Sequence, residues 1–199
     1  ERLTSYFPNS QAVLSDYTHD ATSMVVRDAR ANQSCQNSRC TVLMDFNEQS
    51  VRFWDISTLN SAKALSDITY QNARYVHSGW WSEDQRYVFV HDELDERDVG
   101  IKTTVRVLNV DNLRQPSLIQ EWTGPTAAID HNGYTRGNRY YMSNYQRGTT
   151  ILDITDPTNP VEAGFFDTFP SSDSAAFNGV WGVYPYLPSG LIISSDINS

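Results

Sequence analysis

The chain has 199 residues, with 24 acidic and 15 basic side chains and a formal net charge of −9. That balance argues against nucleic acid or an anionic membrane surface as a partner, since both need clustered Lys and Arg; a divalent cation or a basic partner fits it. No apolar run approaches the eighteen residues of a spanning helix, so no membrane insertion is expected. Twelve per cent aromatic and 20% charged residues describe a folded chain rather than a disordered one.

Helical periodicity is nearly absent. The apolar runs are short, alternating and rich in β-branched and aromatic residues, as strands are. The segment 3–7 reads as the last strand of a preceding sheet. Strands are then predicted near 23–26, 41–46, 51–56 and 64–68. The next four fall at 77–81, 86–91, 104–110 and 117–122, and four more at 131–135, 139–144, 149–154 and 161–166. The chain closes with strands near 181–186 and 191–196. Between the first two strands lies a polar loop with Cys35 and Cys40. Two ligands do not complete a structural zinc site and the spacing is not Cys-x-x-Cys, so a local disulfide is expected, with free thiols as the alternative. A disulfide implies an oxidising compartment.

These elements repeat. His77-Ser78-Gly79, His131-Asn132-Gly133 and Phe177-Asn178-Gly179 are versions of one phrase, and His19-Asp20-Ala21 is a diverged fourth copy. A second phrase alternates with it: Val51-Arg52-Phe53-Trp54-Asp55-Ile56, Val105-Arg106-Val107-Leu108-Asn109-Val110 and Thr149-Thr150-Ile151-Leu152-Asp153-Ile154. A period near fifty residues made of short strands is that of a β-propeller blade. The predicted fold is all-β, a β-propeller of four-stranded antiparallel blades. It is incomplete, with 1–16 ending one blade, full blades at 17–74, 75–128 and 129–175, and a half blade at 176–199. Such a chain cannot close a ring alone. It opens at Glu1 without an initiating Met and reads as a piece of something longer, or as one whose remaining blades belong to another chain or segment.

Several long stretches resemble the choice-of-anchor B family, whose members are secreted or surface-attached proteins built on LVIVD-type repeats. They include Tyr75-Val76-His77-Ser78-Gly79-Trp80-Trp81-Ser82-Glu83-Asp84, Gly124-Pro125-Thr126-Ala127-Ala128-Ile129-Asp130-His131-Asn132 and Pro160-Val161-Glu162-Ala163-Gly164-Phe165-Phe166. The likeness spans nearly all of 17–198. It implies a β-propeller outside the cytoplasm, at the cell surface or secreted, and implies no catalytic activity.

Strand polarity places the candidate residues. In an antiparallel blade the start of the first strand, the end of the second and the second-to-third loop share one face. His19, His77 and His131 begin first strands, nearest the axis, while Asp45, Asp92, Asn144 and Asp196 lie near the ends of second strands. The histidines could converge on a metal or hold strand starts through hydrogen bonds inside their own blades. The loop Asp92, Glu93, Asp95, Glu96 and Asp98 carries five carboxylates in seven residues, which suits Ca²⁺ but lacks the EF-hand pattern; the alternative is a solvated acidic loop. The five tryptophans recur at blade positions and read as inter-blade packing rather than a carbohydrate platform. No nucleophile elbow, phosphate loop or dinucleotide fingerprint occurs. The expected function is therefore a non-enzymatic binding or scaffold module presenting its loop-rich face to a protein or glycan. The alternatives are a metal-dependent enzyme with His77 and His131 as ligands, and a structural assembly component.

Overall fold

The computed structural model describes residues 17–58 and 60–198; the strand expected at 3–7 lies outside them. The first sheet is β1 (Asp20–Val26), β2 (Cys40–Phe46), β3 (Val51–Asp55) and β4 (Lys63–Ile68), with helix α1 (Ala29–Cys35) between β1 and β2. The second is β5 (Val76–Trp81), β6 (Tyr87–Asp92), β7 (Thr104–Asn109) and β8 (Ser117–Thr123), with helix α2 (Asp95–Val99) between β6 and β7. The third is β9 (Gly133–Arg136), β10 (Arg139–Ser143), β11 (Thr149–Asp153) and β12 (Val161–Phe166), and β13 (Val180–Tyr184) pairs with β14 (Ile193–Asp196). Within each sheet the strands are antiparallel and follow chain order. The innermost strands β1, β5, β9 and β13 are successive neighbours from sheet to sheet. This is an incomplete β-propeller.

Blade-against-blade packing explains why the central strands read as nearly continuous apolar runs. Along β6, Val88 and Val90 face the first blade and join Met44, Phe46 and Val76 in one core. Phe89 faces the other way, into a second core with Val105, Val107, Tyr140 and Met142. Period-2 alternation thus sends successive side chains into two different buried interfaces. Polar ties cross the same seams. Thr135 Oγ1 donates to the Trp81 carbonyl at 2.7 Å, and Ser66 Oγ to the Leu113 carbonyl at 2.7 Å. Trp122 lies in the second core, with Trp80 packed against that core and Trp81 against the first, in line with the packing reading for these three; Trp181 is half exposed and departs from it. By contrast Phe165, Phe166, Leu191 and Ile193, on β12 and around β14, are exposed.

The repeated glycine of the His-Ser-Gly phrase follows from this crowding. A Cβ on Gly79 would lie 2.6 Å from the Phe89 carbonyl oxygen, and one on Gly133 only 2.3 Å from the Tyr140 hydroxyl. The innermost strands approach their neighbours too closely for any side chain there.

Two short helices stand where only loops were expected. Seven and five residues are too few to show a 3.6-residue apolar period, so the local signals are caps. The Asp28 side chain accepts from the Arg30 amide at the start of α1, and Gly100 takes the left-handed conformation that ends α2. From α1 the buried Arg30 reaches across to the second blade and donates to the Gln85 carbonyl at 2.6 Å. Cys35 and Cys40 are joined, closing the turn from α1 into β2. That disulfide fits maturation in an oxidising compartment outside the cytosol. Among the described residues no helix is long and apolar enough to cross a membrane. Replacing both cysteines by serine is expected to cost about 2 kcal/mol through loop-closure entropy for so short a loop. The thermal midpoint should fall by roughly 4–8 °C; a melting curve unchanged by reductant would contradict this.

Candidate metal centre

The first residues of β5 and the turn before β9 bring His77 and His131 side by side over the axis, with ring centroids 4.3 Å apart. His19 continues the column at 4.3 Å from His77. Each inner histidine is tied to the next blade rather than to its own. His77 Nδ1 lies 3.2 Å from the His131 carbonyl oxygen, which also accepts from Ser78 Oγ at 2.6 Å. His131 Nδ1 lies 2.6 Å from the Trp181 carbonyl oxygen. A carbonyl can only accept, so both Nδ1 atoms carry the proton and both Nε2 atoms present lone pairs. The expectation of hydrogen bonds within one blade is corrected here. The pin crosses to the neighbour because the first strands touch each other at the hub.

Those lone pairs face a carboxylate. Glu93, just beyond β6, puts Oε1 at 3.4 Å from His131 Nε2 and Oε2 at 3.8 Å from His77 Nε2. One ligand atom from each of the three lies within 4.8 Å of the other two. A four-coordinate ion with bonds of about 2.0–2.2 Å needs ligands roughly 3.3–3.6 Å apart, so a small inward shift would complete the set. Tyr145 donates its hydroxyl to Glu93 Oε1 at 2.7 Å and fixes the carboxylate. It does so from a strained turn, with φ of 30°. Carbonyl pins on the imidazoles and a hydroxyl on the carboxylate are the outer contacts that orient metal ligands.

The electrostatics agree. Burial, reinforced by the neighbouring histidines, pushes the His77 imidazole down to about 2, and burial pushes His131 down to about 4. Both are neutral at pH 7, the form that binds metals. Burial also raises the Glu93 carboxyl. Two nitrogen lone pairs and a largely buried carboxylate turned toward one another form a donor set that a cation would satisfy. A cavity of about 320 Å³ opens beside them, lined by His19, Asp20, His77, Glu93, His131, Asn132 and Trp181. His19 lines it without joining the cluster; its Nδ1 lies 2.9 Å from the Tyr75 hydroxyl.

The remaining candidates separate. Asp92 is buried and takes the Arg74 and Tyr75 amides at 2.8 and 2.7 Å and the Tyr70 hydroxyl at 3.2 Å. Its oxygens therefore hold the turn before β5. Asp98 is exposed and paired with Arg97. Asp95 and Glu96 are buried, at 0% and 2% exposure, which corrects the solvated-loop alternative. They meet Asp130, which the sequence reading passed over. Asn144 Nδ2 donates to the Ala128 and Ile129 carbonyls at 2.8 and 3.0 Å, binding the loop into blade three. Asp45 accepts from the Trp54 indole at 3.3 Å, and Asp196 from the Thr168 hydroxyl and the Asn198 amide. None of these three joins the axial cluster. His91 was also missed. It is fully buried between Asp130 and the Tyr140 hydroxyl, with Nε2 at 2.6 Å from the latter. Its place at the end of β6, where the strand map already put functional residues, was the available signal.

No protein-family pattern matches the chain, and no curated protein matches it. Among solved structures the fold is similar to the periplasmic gluconolactonase PpgL of Pseudomonas aeruginosa, with a TM-score of 0.59 and 14% identity. The match covers 80% of this chain and 48% of that one, so the chain spans about half the length of this neighbour. At that identity the likeness establishes the propeller fold.

Proposed function

We propose that this chain is part of an exported β-propeller carrying a divalent transition-metal centre at its axis, with His77 Nε2, His131 Nε2 and a Glu93 oxygen as ligands. The observation that carries it is the convergence of two imidazole lone pairs, each pinned by Nδ1 to a carbonyl, on one desolvated carboxylate. Three protein ligands beside an open cavity are the pattern of reactive rather than structural zinc sites. The reaction class this suits is metal-assisted hydrolysis of a small carbonyl compound such as a lactone or ester. Held by His77, His131 and Glu93, the ion would supply Lewis-acid polarisation of a carbonyl and a more acidic water, while the Nδ1 pins and the Tyr145 hydroxyl would keep the three ligands oriented. The lactonase named for the structural neighbour makes lactones the first substrates to try.

A second reading keeps the face and drops the turnover. Trp181, half exposed, stands 5.3 Å from the His131 ring and offers an aromatic surface beside the cavity. It would suit a glycan or protein partner of a surface-attached propeller of the choice-of-anchor B kind, completed by further blades. One experiment separates the two. The full chain is stripped with chelator, titrated with Zn²⁺ and assayed on small lactones and aryl esters. The proposal expects about one bound zinc and a turnover that chelator removes and zinc restores. Stoichiometric zinc without turnover, together with a hit on a glycan array, selects the second reading. Absence of zinc binding contradicts the centre itself.

A further inference from the structure

Behind the axial cluster lies a second group of ionisable side chains that the proposed centre does not use. Asp95 and Glu96 come from α2, and Asp130 from the segment leading into β9. All three are at least 98% buried, and one carboxylate oxygen from each lies within 4.8 Å of the other two. Two oxygens bound to one ion at 2.3–2.6 Å can be at most about 4.6–5.2 Å apart, so the set spans a Ca²⁺-sized space.

The hydrogen-bond inventory points to a ligand. Among the described residues neither oxygen of Glu96 has a donor, and Asp95 Oδ1 and Asp130 Oδ1 have none either. Among the described residues the cation in contact is Arg106, whose guanidinium meets Asp95 Oδ2, while His91 Nδ1 contacts Asp130 Oδ2. Leaving ionised carboxylates buried without donors is among the most costly arrangements a fold can keep. Without a cation, burial and mutual repulsion push both Asp95 and Glu96 upward.

We propose that Asp95, Glu96 and Asp130 form a buried Ca²⁺ site that ties the β6–β7 connection to the start of the third blade. An all-oxygen donor set selects a hard cation. Ca²⁺ accepts irregular and bidentate carboxylates, whereas Mg²⁺ keeps several waters and near-octahedral geometry. The site shares no ligand with the axial centre and does not depend on it. It would nevertheless brace that centre, because Glu93 is two residues from Asp95 and His131 follows Asp130 directly.

The test is the thermal midpoint of the full chain in EGTA and in Ca²⁺, for the parent, Glu96→Gln and His77→Ala. At Ca²⁺ about a hundredfold above its dissociation constant, the parent should melt about 5–10 °C higher than in EGTA. His77→Ala should keep that shift, and Glu96→Gln should lose it. In EGTA, Glu96→Gln should melt no lower than the parent, because the amide keeps the size of the carboxyl and can donate to Asp95. A parent that melts alike in Ca²⁺ and EGTA would overturn the proposal in favour of a protonated Glu96 sharing its hydrogen with Asp95. A shift that survives Glu96→Gln would overturn it as well, because the ion would then be bound elsewhere.

Discussion

Replacing Arg106 by alanine is expected to destabilise the protein by about 3–5 kcal/mol, the range for breaking a buried ion pair by removing one partner. Arg106 is 1% exposed on β7. Its guanidinium contacts Asp95, donates through Nη1 to the Thr104 carbonyl at 3.0 Å and lies over the Tyr70 ring at 4.3 Å. Truncation would leave a cavity, a carbonyl without its donor, and the carboxylate of Asp95 facing Glu96 and Asp130 with no guanidinium nearby. Lysine should recover only part of the loss, since a single ammonium reproduces neither the planar fork nor the stacking on Tyr70. Urea unfolding measures this. In a double-mutant cycle with Asp95→Asn the pair of changes should cost clearly less than their sum. A loss under 1 kcal/mol for Arg106→Ala would mean that the buried carboxylates are compensated by something other than this side chain.

Replacing His131 separates its two roles. A three-ligand zinc site loses roughly a third of its coordination energy with one imidazole. If that energy is on the order of 10 kcal/mol, affinity should fall at least about 100-fold. His131→Ala should also lower stability by about 1–2 kcal/mol, because the Trp181 carbonyl loses its donor. His131→Asn keeps an N–H where Nδ1 stood and supplies nothing in place of Nε2. It should therefore bind zinc as poorly as the alanine variant while melting close to the parent. Titration calorimetry and thermal melts on the two variants check this. Equal zinc affinity in the parent and in His131→Asn would make the histidine a structural pin alone.

How much of this was legible in the sequence depends on what carries the signal. The blade repeat was legible because strand pairing and inter-blade packing impose the same apolar alternation in each copy, and the same close-approach glycine at Gly79 and Gly133, where the first copy has Ala21. The convergence of His77 and His131 followed from that repeat, since equivalent positions of neighbouring blades meet at the hub. The fate of the acidic loop was not legible. Asp92, Glu93, Asp95, Glu96 and Asp98 are close in the chain, but they part into a turn anchor, a carboxylate facing the axial histidines, a buried pair and an exposed ion pair. What sorts them is the short helix α2 and residues distant in sequence. Arg106 is hidden in a strand pattern, and Asp130 is supplied by the next blade. Acidic residues carry no periodicity that marks burial, so a loop that folds inward reads like one that is solvated. Helix α1 escaped notice for a related reason: its start is announced by Asp28 alone, and its seven residues show no amphipathic face.

The point between His77, His131 and Glu93 is where the proposed centre is most directly tested. Crystals of the full chain grown with Zn²⁺ and measured on both sides of the zinc absorption edge would locate the ion by anomalous scattering. The expected result is one strong peak on the propeller axis, within about 2.0–2.2 Å of both Nε2 atoms and of a Glu93 oxygen. An empty axis in such crystals, or zinc found only on the outer surface, would contradict it.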